Sequence, residues 1–137
     1  MLSARLFHRA VVLAAAFSFS ALALGVSASG AFAFSASFTW CPGSPRFDLD
    51  DVPAGTAKLA FVMTDLDVPT FHHGGATVAY AGATYGKPVV PCGSFASSFI
   101  GPSPPRGTVH TYQFTIKALR ADGTVLATTT ARRKFPE

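Results

Sequence analysis

The stretch "AKLAFVMTDLDVPTFHH", residues 57–73, joins a nearly continuous apolar run to a cluster of polar side chains. The run "AKLAFVMTD" predicts a central strand that is buried on both faces. Asp65 and Asp67 stand at its end, where a following proline indicates that the strand is finishing, and His72 and His73 come soon after. Residues two apart in a strand point the same way, so the aspartates share a face, whereas the adjacent histidines face opposite sides. The alternative for each aspartate is a plain turn role before the proline.

The rest of the chain from residue 34 onward has the pattern of short strands separated by proline and glycine turns. We find no amphipathic helix of ten or more residues and no internal repeat. The residues therefore predict an all-β domain, a β-sandwich or barrel with little helix. A loop over residues 86–108 is rich in proline and glycine and longer than compact domains usually carry without a function. The other strand segments are "FSASFTW" at 34–40, "RFDLDDVPAGT" with its turn at 46–56, "GATVAYAGATY" at 75–85, "HTYQFTIKALRA" at 110–121 and "TVLATTTARRKF" at 124–135, the last two forming a hairpin around "DG".

Residues 1–33 are predicted to be a secretory signal peptide in helical form. Two arginines precede an apolar middle, and small residues allow cleavage after Ala33 or after Ala28. The alternative is a permanent membrane anchor, because the apolar stretch is nearly long enough to span a bilayer. The serines and the cleavage-like motifs favour a signal. We therefore expect one exported domain over residues 34–137, periplasmic or extracellular, with no membrane span after cleavage.

The charge balance argues against a nucleic-acid partner. The whole chain has 11 Lys and Arg against 7 Asp and Glu, a formal net charge of +4. Without the two arginines of the predicted signal, nine cations remain against the same seven anions, a net charge of +2. Three of the nine are Arg132, Arg133 and Lys134, which we interpret as a solvated strand end. Nucleic-acid binding needs a basic face interleaved with aromatic residues, and the sequence shows none.

The two cysteines, Cys41 and Cys92, are best explained by a disulfide if the protein is exported to an oxidising compartment. Closing a loop of about 50 residues would add ~4 kcal/mol in the chain-entropy model. The alternatives are two buried free thiols or a thiolate metal ligand. No C-x-x-C spacing is present, which disfavours a structural zinc site. We predict no metal and no cofactor.

A second polar cluster lies in "GPSPPRGTVHTY", residues 101–112. His110 and Tyr112 are two apart at the start of a strand, and Gly101 in the preceding loop lets a ligand approach the backbone. An aspartate beside a histidine favours the imidazolium form. Imidazolium, phenol and amide donors together suit phosphate or carboxylate. The aspartate would repel a dianion, so we expect a protonated phosphate, or a zwitterion whose ammonium group meets the carboxylate.

Three blocks of the sequence, in this order, resemble the phosphatidylethanolamine-binding protein family in its bacterial Raf-kinase-inhibitor-like branch. They are "SPRFDL" with "PAGT", "DLDVP" with "HH", and "GPSPP" leading into "HTY". The resemblance runs from about Ser44 to the C-terminus. It implies a β-sandwich with a small anion pocket at one end, in which family members bind phosphate, acetate or a phospholipid headgroup.

The resemblance also implies which residues bind the ligand, and it has gaps. Leu66 replaces the middle proline of the family's D-P-D, and Thr111 replaces the arginine of its H-R-Y. The apolar strand with an asparagine that usually follows the histidine pair has become glycine-rich here. The N-terminal region is abbreviated, and the family's helix before the last strand is missing. By position, the implied ligand-binding residues are Asp65, Asp67, Phe71 (usually tryptophan in the family), His73, Gly101, Pro102, His110 and Tyr112.

The expected function is that of an exported binding protein for a small anion or a phosphoethanolamine-like headgroup. Inhibition of another protein, whose identity the sequence does not give, is the further role that the resemblance suggests. The alternative is an interaction or structural module with a decayed pocket, favoured by the lost arginine and asparagine. A hydrolase is disfavoured because neither G-x-S-x-G nor H-E-x-x-H occurs, so we expect no enzyme.

Overall fold

Seven strands make up the part of the chain that the computed structural model describes, residues 33–82, 86–96 and 99–137. All strand pairs are antiparallel, and they form a three-stranded sheet in the order β1-β2-β5 and a four-stranded sheet in the order β4-β3-β6-β7. These residues contain no helix, so the all-β prediction is confirmed. The strands are β1 Ser35–Thr39, β2 Arg46–Asp50, β3 Lys58–Asp65, β4 His72–Ala79, β5 Val89–Val90, β6 His110–Leu119 and β7 Val125–Phe135.

The predicted signal peptide lies outside the described residues except for Ala33, so its helix, its cleavage site and the domain boundary after it stay predictions. Within the described ranges, no helix is long and apolar enough to cross a membrane.

The core is formed by the inner faces of the two sheets and is rich in aromatic rings. The alternation on β6 turns every second side chain inward, so that Phe114 and Ile116 are fully buried. Phe47 of β2 meets this face, and its ring centroid lies 4.9 Å from that of Phe114 and 4.6 Å from that of Phe61. Burying a side chain of this size contributes roughly 1.5–3 kcal/mol. These edge-on and tilted ring contacts therefore hold the two sheets together.

The strand β3 is central, between β4 and β6, but it is buried on one face only. Leu59, Phe61 and Met63 point into the core, whereas Val62 is 55% exposed. The prediction of burial on both faces is therefore wrong. The apolar run hid the alternation because Ala60 and Val62 occupy the outer positions, where the sheet faces solvent. The strands β6 and β7 join directly in the predicted hairpin, with Gly123 at φ 91 in the turn.

A disulfide between Cys41 and Cys92, with a Cα–Cα distance of 5.9 Å, confirms the first interpretation of the two cysteines. It joins the turn after β1 to the turn after β5. Ser44 binds the same two turns together, because its carbonyl accepts the Gly93 amide at 3.0 Å and its hydroxyl oxygen accepts the Phe95 amide at 3.1 Å. The long loop predicted over residues 86–108 is thus partly ordered by β5 and by these bonds.

Candidate functional site

A bulge in β4 decides which histidine faces the interior. The pairing of β3 with β4 shifts by one residue between Val62 and Thr64, so β4 carries an extra residue beside Gly74. A bulge of this kind re-aims the neighbouring side chains. His73 turns inward and is 4% exposed, while His72 stays on the outer, exposed face.

The glycine pair after the histidines is required by the local backbone. Gly74 has a φ of 74°, in the left-handed region that glycine adopts without steric cost. A Cβ on Gly75 would stand 1.8 Å from the carbonyl oxygen of Phe61 in β3. The glycines that distinguish this segment therefore allow β4 to reach the bulge and to present His73.

Asp65 ends β3 with its carboxylate buried and hydrogen-bonded on both oxygens. Its Oδ1 accepts the amides of Asp67 at 2.9 Å and Val68 at 3.2 Å, and its Oδ2 accepts Nδ1–H of His110 at 2.6 Å. The side chains of Asp65 and His110 are 5% and 12% exposed. Burial by itself raises the pKa of Asp65, but the hydrogen bonds from His110 and the two amides outweigh it and hold this pKa below its ordinary value. The carboxylate is therefore ionised at neutral pH.

Asp67 has a different position from Asp65, although the two were expected to act together. Its side chain is exposed, and its Oδ2 accepts the amide of Thr111 at 2.7 Å. Beside it, the amide of Leu66 donates to the carbonyl of Thr111 at 2.9 Å. These bonds tie the end of β3 to the start of β6, which keeps Asp65 and His110 adjacent.

His73 approaches the same space from β4. Its Nδ1 donates to the carbonyl of Ile100 at 2.9 Å, and the amide of Ile100 donates to the carbonyl of His73 at 2.8 Å. The ring packs edge-on against Tyr112, with centroids 5.4 Å apart, and against Phe71, with centroids 4.6 Å apart. Because carbonyl and carboxylate oxygens can only accept, Nδ1 carries the proton in both His73 and His110. Nε2 is then the ring nitrogen that each histidine offers to a ligand.

Tyr112 is fully buried on β6, two residues after His110. Burial first, and then the nearby Asp65 carboxylate, raises the pKa of its phenol to about 12. The hydroxyl group therefore stays protonated and can donate a hydrogen bond at any physiological pH.

These side chains surround a cavity of about 150 Å³ at the end of the four-stranded sheet. Of the predicted ligand-binding residues, Asp65, Phe71, His73, Gly101, His110 and Tyr112 line it, whereas Asp67 and Pro102 do not. The other lining residues are Val68, Ile100, Ser103 and Pro105. Ser103 and Pro105 lie in the proline-rich loop that the sequence singled out, but nothing in the sequence distinguished Val68 or Ile100 from other exposed apolar residues.

The aspartates and the histidine also have a spacing that could suit a metal ion. Asp65, Asp67 and His110 each place one ligand atom within 4.8 Å of the others. The oxygens of Asp65 already accept two amides and the imidazole N–H, and Oδ2 of Asp67 accepts an amide. A cation bound through Nδ1 of His110 would have to displace the proton on that nitrogen. We therefore interpret the group as a hydrogen-bonded wall of the cavity.

A family model described as phosphatidylethanolamine-binding protein matches residues 26–135 of the chain. The chain belongs to the phosphatidylethanolamine-binding protein family. The match spans all seven strands, and it confirms the resemblance found in the sequence. Members of the phosphatidylethanolamine-binding protein family are generally binding proteins rather than enzymes. A search of curated proteins finds no match to this chain.

Proposed function

We propose that this protein binds a small ligand whose phosphate group carries a single negative charge, in the cavity between Asp65, His73, His110 and Tyr112. The ligand is a protonated phosphate or a zwitterionic phosphomonoester such as phosphoethanolamine. The observation that carries the proposal is the buried Asp65–His110 pair, 2.6 Å apart, in the wall of a cavity with room for a group of this size.

The protonation pattern of the cavity supports a ligand that has both acceptor oxygens and an O–H group. Nε2 of a neutral histidine accepts a hydrogen bond, and the hydroxyl of Tyr112 donates one. A phosphate monoanion can donate its proton to such a nitrogen and accept the phenol hydrogen bond with another oxygen. Acetate, with no proton to donate, could use only the donors.

The charge of Asp65 favours a monoanion over a dianion. At about 5 Å and an effective dielectric constant of ~20, a second negative charge on the ligand costs roughly 3 kcal/mol of repulsion from this carboxylate. That energy corresponds to roughly two orders of magnitude in affinity. An ammonium group on the ligand reverses the sign of this interaction, which is why a zwitterionic headgroup also fits.

We also propose that the protein is exported and is not an enzyme. The disulfide supports export, because such bonds persist in oxidising compartments, in keeping with the predicted signal peptide. It also removes Cys92 as a nucleophile, and the described residues hold no free thiol.

The test is calorimetric titration with phosphate and with sulfate at pH 6 and pH 8. Sulfate has nearly the shape of phosphate but no proton to donate. We expect phosphate to bind, more weakly at pH 8 than at pH 6, and sulfate to bind at least tenfold more weakly. His110→Ala should abolish phosphate binding, whereas His72→Ala, a matched change on the exposed face, should not alter it. Equal binding of the two anions, or equal losses in the two variants, would contradict the proposal.

A further inference from the structure

The outward side of the four-stranded sheet is polar and carries charge of one sign. Four cationic side chains point outward from β3, β6 and β7, and all four are exposed. No outward position of this sheet holds an aspartate or a glutamate, and none of the four cations is in an ion pair with a described residue. We call this surface the cationic face, and its cations are Lys58, Lys117, Arg132 and Lys134.

The strand register arranges these cations as a diagonal stripe across the sheet. Lys134 and Arg132 are two residues apart on β7, and Arg132 lies opposite Gln113 of β6. Lys117 comes further along β6, and Lys58 lies on β3 beyond it in the same direction. With about 3.4 Å per residue along a strand and about 4.8 Å between strands, the stripe is roughly 30 Å long. A stripe of this length fits an extended polymer better than a small molecule.

Hydroxyl groups occupy the positions between the cations. Thr115 of β6 is paired with Thr130 of β7, and Lys117 is paired with Thr128. Thr128 and Thr130 are exposed, and Thr115 is partly buried on the same outward side. A threonine hydroxyl both donates and accepts hydrogen bonds. A ligand that matches this face therefore carries negative charges with hydroxyl groups between them.

The cationic face lacks the groups that other large partners use. Single-stranded nucleic acids stack their bases on aromatic side chains, and no outward position of this sheet holds phenylalanine, tyrosine or tryptophan. Protein interfaces are built around clustered anchors that become fully desolvated. Here the large exposed apolar side chains, Val62 and Val125, lie on β3 and β7 with β6 between them, so they form no such cluster.

We propose that the cationic face binds a linear acidic polysaccharide, a uronic-acid polymer whose carboxylates meet the stripe and whose hydroxyl groups meet the threonines. The outer face of the three-stranded sheet provides the contrast. There Asp48 and Asp50 pair with Arg46 and Lys87, so the cations of that face are compensated. None of the cations of the stripe lines the cavity of the proposed function, so the two sites are separate.

The experiment measures binding of the purified protein to immobilised polygalacturonate by surface plasmon resonance at pH 7, with uncharged dextran as the reference. Binding should fall steeply from about 0.01 M to about 0.15 M salt, because the screening length shortens from ~30 Å to ~8 Å. One contact between opposite charges in water contributes roughly a factor of five, so Lys117→Gln/Arg132→Gln should weaken binding roughly twentyfold. Arg46→Gln/Lys87→Gln removes the same charge from the other sheet and should change the affinity by no more than about twofold.

Several outcomes would overturn this inference without touching the proposed function. Equal losses in the two double variants would show that binding follows net charge and not the cationic face. Polyglutamate has carboxylates but no sugar hydroxyls, and if it bound as tightly as polygalacturonate, the face would accept an acidic polypeptide instead. Equal binding to dextran, or no binding of the wild-type protein to polygalacturonate at low salt, would also end the inference. The phosphate titration tests the cavity independently of all these results.

Discussion

Replacing Asp65 with alanine removes three hydrogen bonds from one buried position. The carboxylate accepts two backbone amides through Oδ1 and the imidazole of His110 through Oδ2. The variant therefore tests whether the pair that forms the cavity wall also supports the fold.

The expected loss of unfolding free energy is about 3 kcal/mol. Removing the acceptor leaves the buried Nδ1–H of His110 unsatisfied, which costs roughly 1–3 kcal/mol. The amides of Asp67 and Val68 belong to exposed residues and can bind water, so their lost bonds add only about 0.5 kcal/mol each. Asp67→Ala is the matched control, since it removes one exposed hydrogen bond and should cost about 1 kcal/mol or less.

Urea unfolding followed by tryptophan fluorescence measures both variants. Trp40 is the chain's single tryptophan, and its ring packs against Tyr112 and Phe135, so its emission reports the loss of the sandwich. The slope of free energy against urea should stay the same in all three proteins, as expected when only stability changes.

The pH dependence provides a second criterion. The pKa of Asp65 is lowered in the folded state, so its stabilisation is complete above the unfolded pKa of about 3.9 and is lost as the pH falls through the folded pKa. The difference between wild type and Asp65→Ala should therefore be constant from pH 7 to about 5 and narrow below about pH 4. A difference under about 1 kcal/mol at pH 7, or one that does not narrow in acid, would refute this reasoning.

Three further changes test other parts of the structure. The double variant Cys41→Ala/Cys92→Ala should lose ~4 kcal/mol in urea unfolding, the chain-entropy value for a separation of 51 residues; a loss below about 1 kcal/mol would show that the bond does not restrain the unfolded chain. Gly75→Ala should lower the free energy of unfolding by at least about 2 kcal/mol, because the new Cβ clashes with β3. Gly101→Ala, with open space around its Cβ, should stay within about 0.5 kcal/mol of wild type. Equal losses would contradict the close approach of β4 to β3. The pKa of the Tyr112 phenol is raised to about 12, so the stability that the protonated phenol provides is complete below the unfolded pKa of about 10 and is lost between pH 10 and 12. Tyr112→Phe should lack that part of the alkaline decline in the free energy of unfolding. An identical decline in the variant would refute the assignment.

The hairpin of β6 and β7 could be predicted from the sequence, because its apolar residues alternate and a tight turn separates the strands. The start of β4 could not. A strand was expected from residue 75, but β4 begins at His72. Glycine is depleted in strands, so the glycines at positions 74 and 75 did not indicate that a strand already begins at His72. The bulge and the pairing with β3, which are tertiary contacts, extend the strand to the histidines.

Only part of the candidate site could be predicted, because local sequence patterns do not show contacts between distant segments. Asp65 and His110 could be paired because the family resemblance placed them together, and Tyr112 followed from its spacing. Asp67 was expected in the pocket, but its oxygen bonds the amide of Thr111, 44 residues away, which no local pattern reveals. Pro102 lines a neighbouring cavity, with Trp40, Phe99 and Phe135, and not the cavity that Asp65 lines. That neighbouring cavity could not be predicted at all, because its aromatic wall comes from three distant segments.

The most direct test of the central claim is a thermal-shift titration of the purified protein with phosphate and phosphoethanolamine at pH 6. A ligand at one hundred times its Kd stabilises the folded state by about 2.7 kcal/mol, which raises the Tm of a domain of about 100 residues by roughly 10–20 °C. We expect a rise of this kind in wild type and in His72→Ala and none in His110→Ala. No rise in wild type with either ligand would contradict this expectation and would favour an interaction module whose pocket no longer binds an anion.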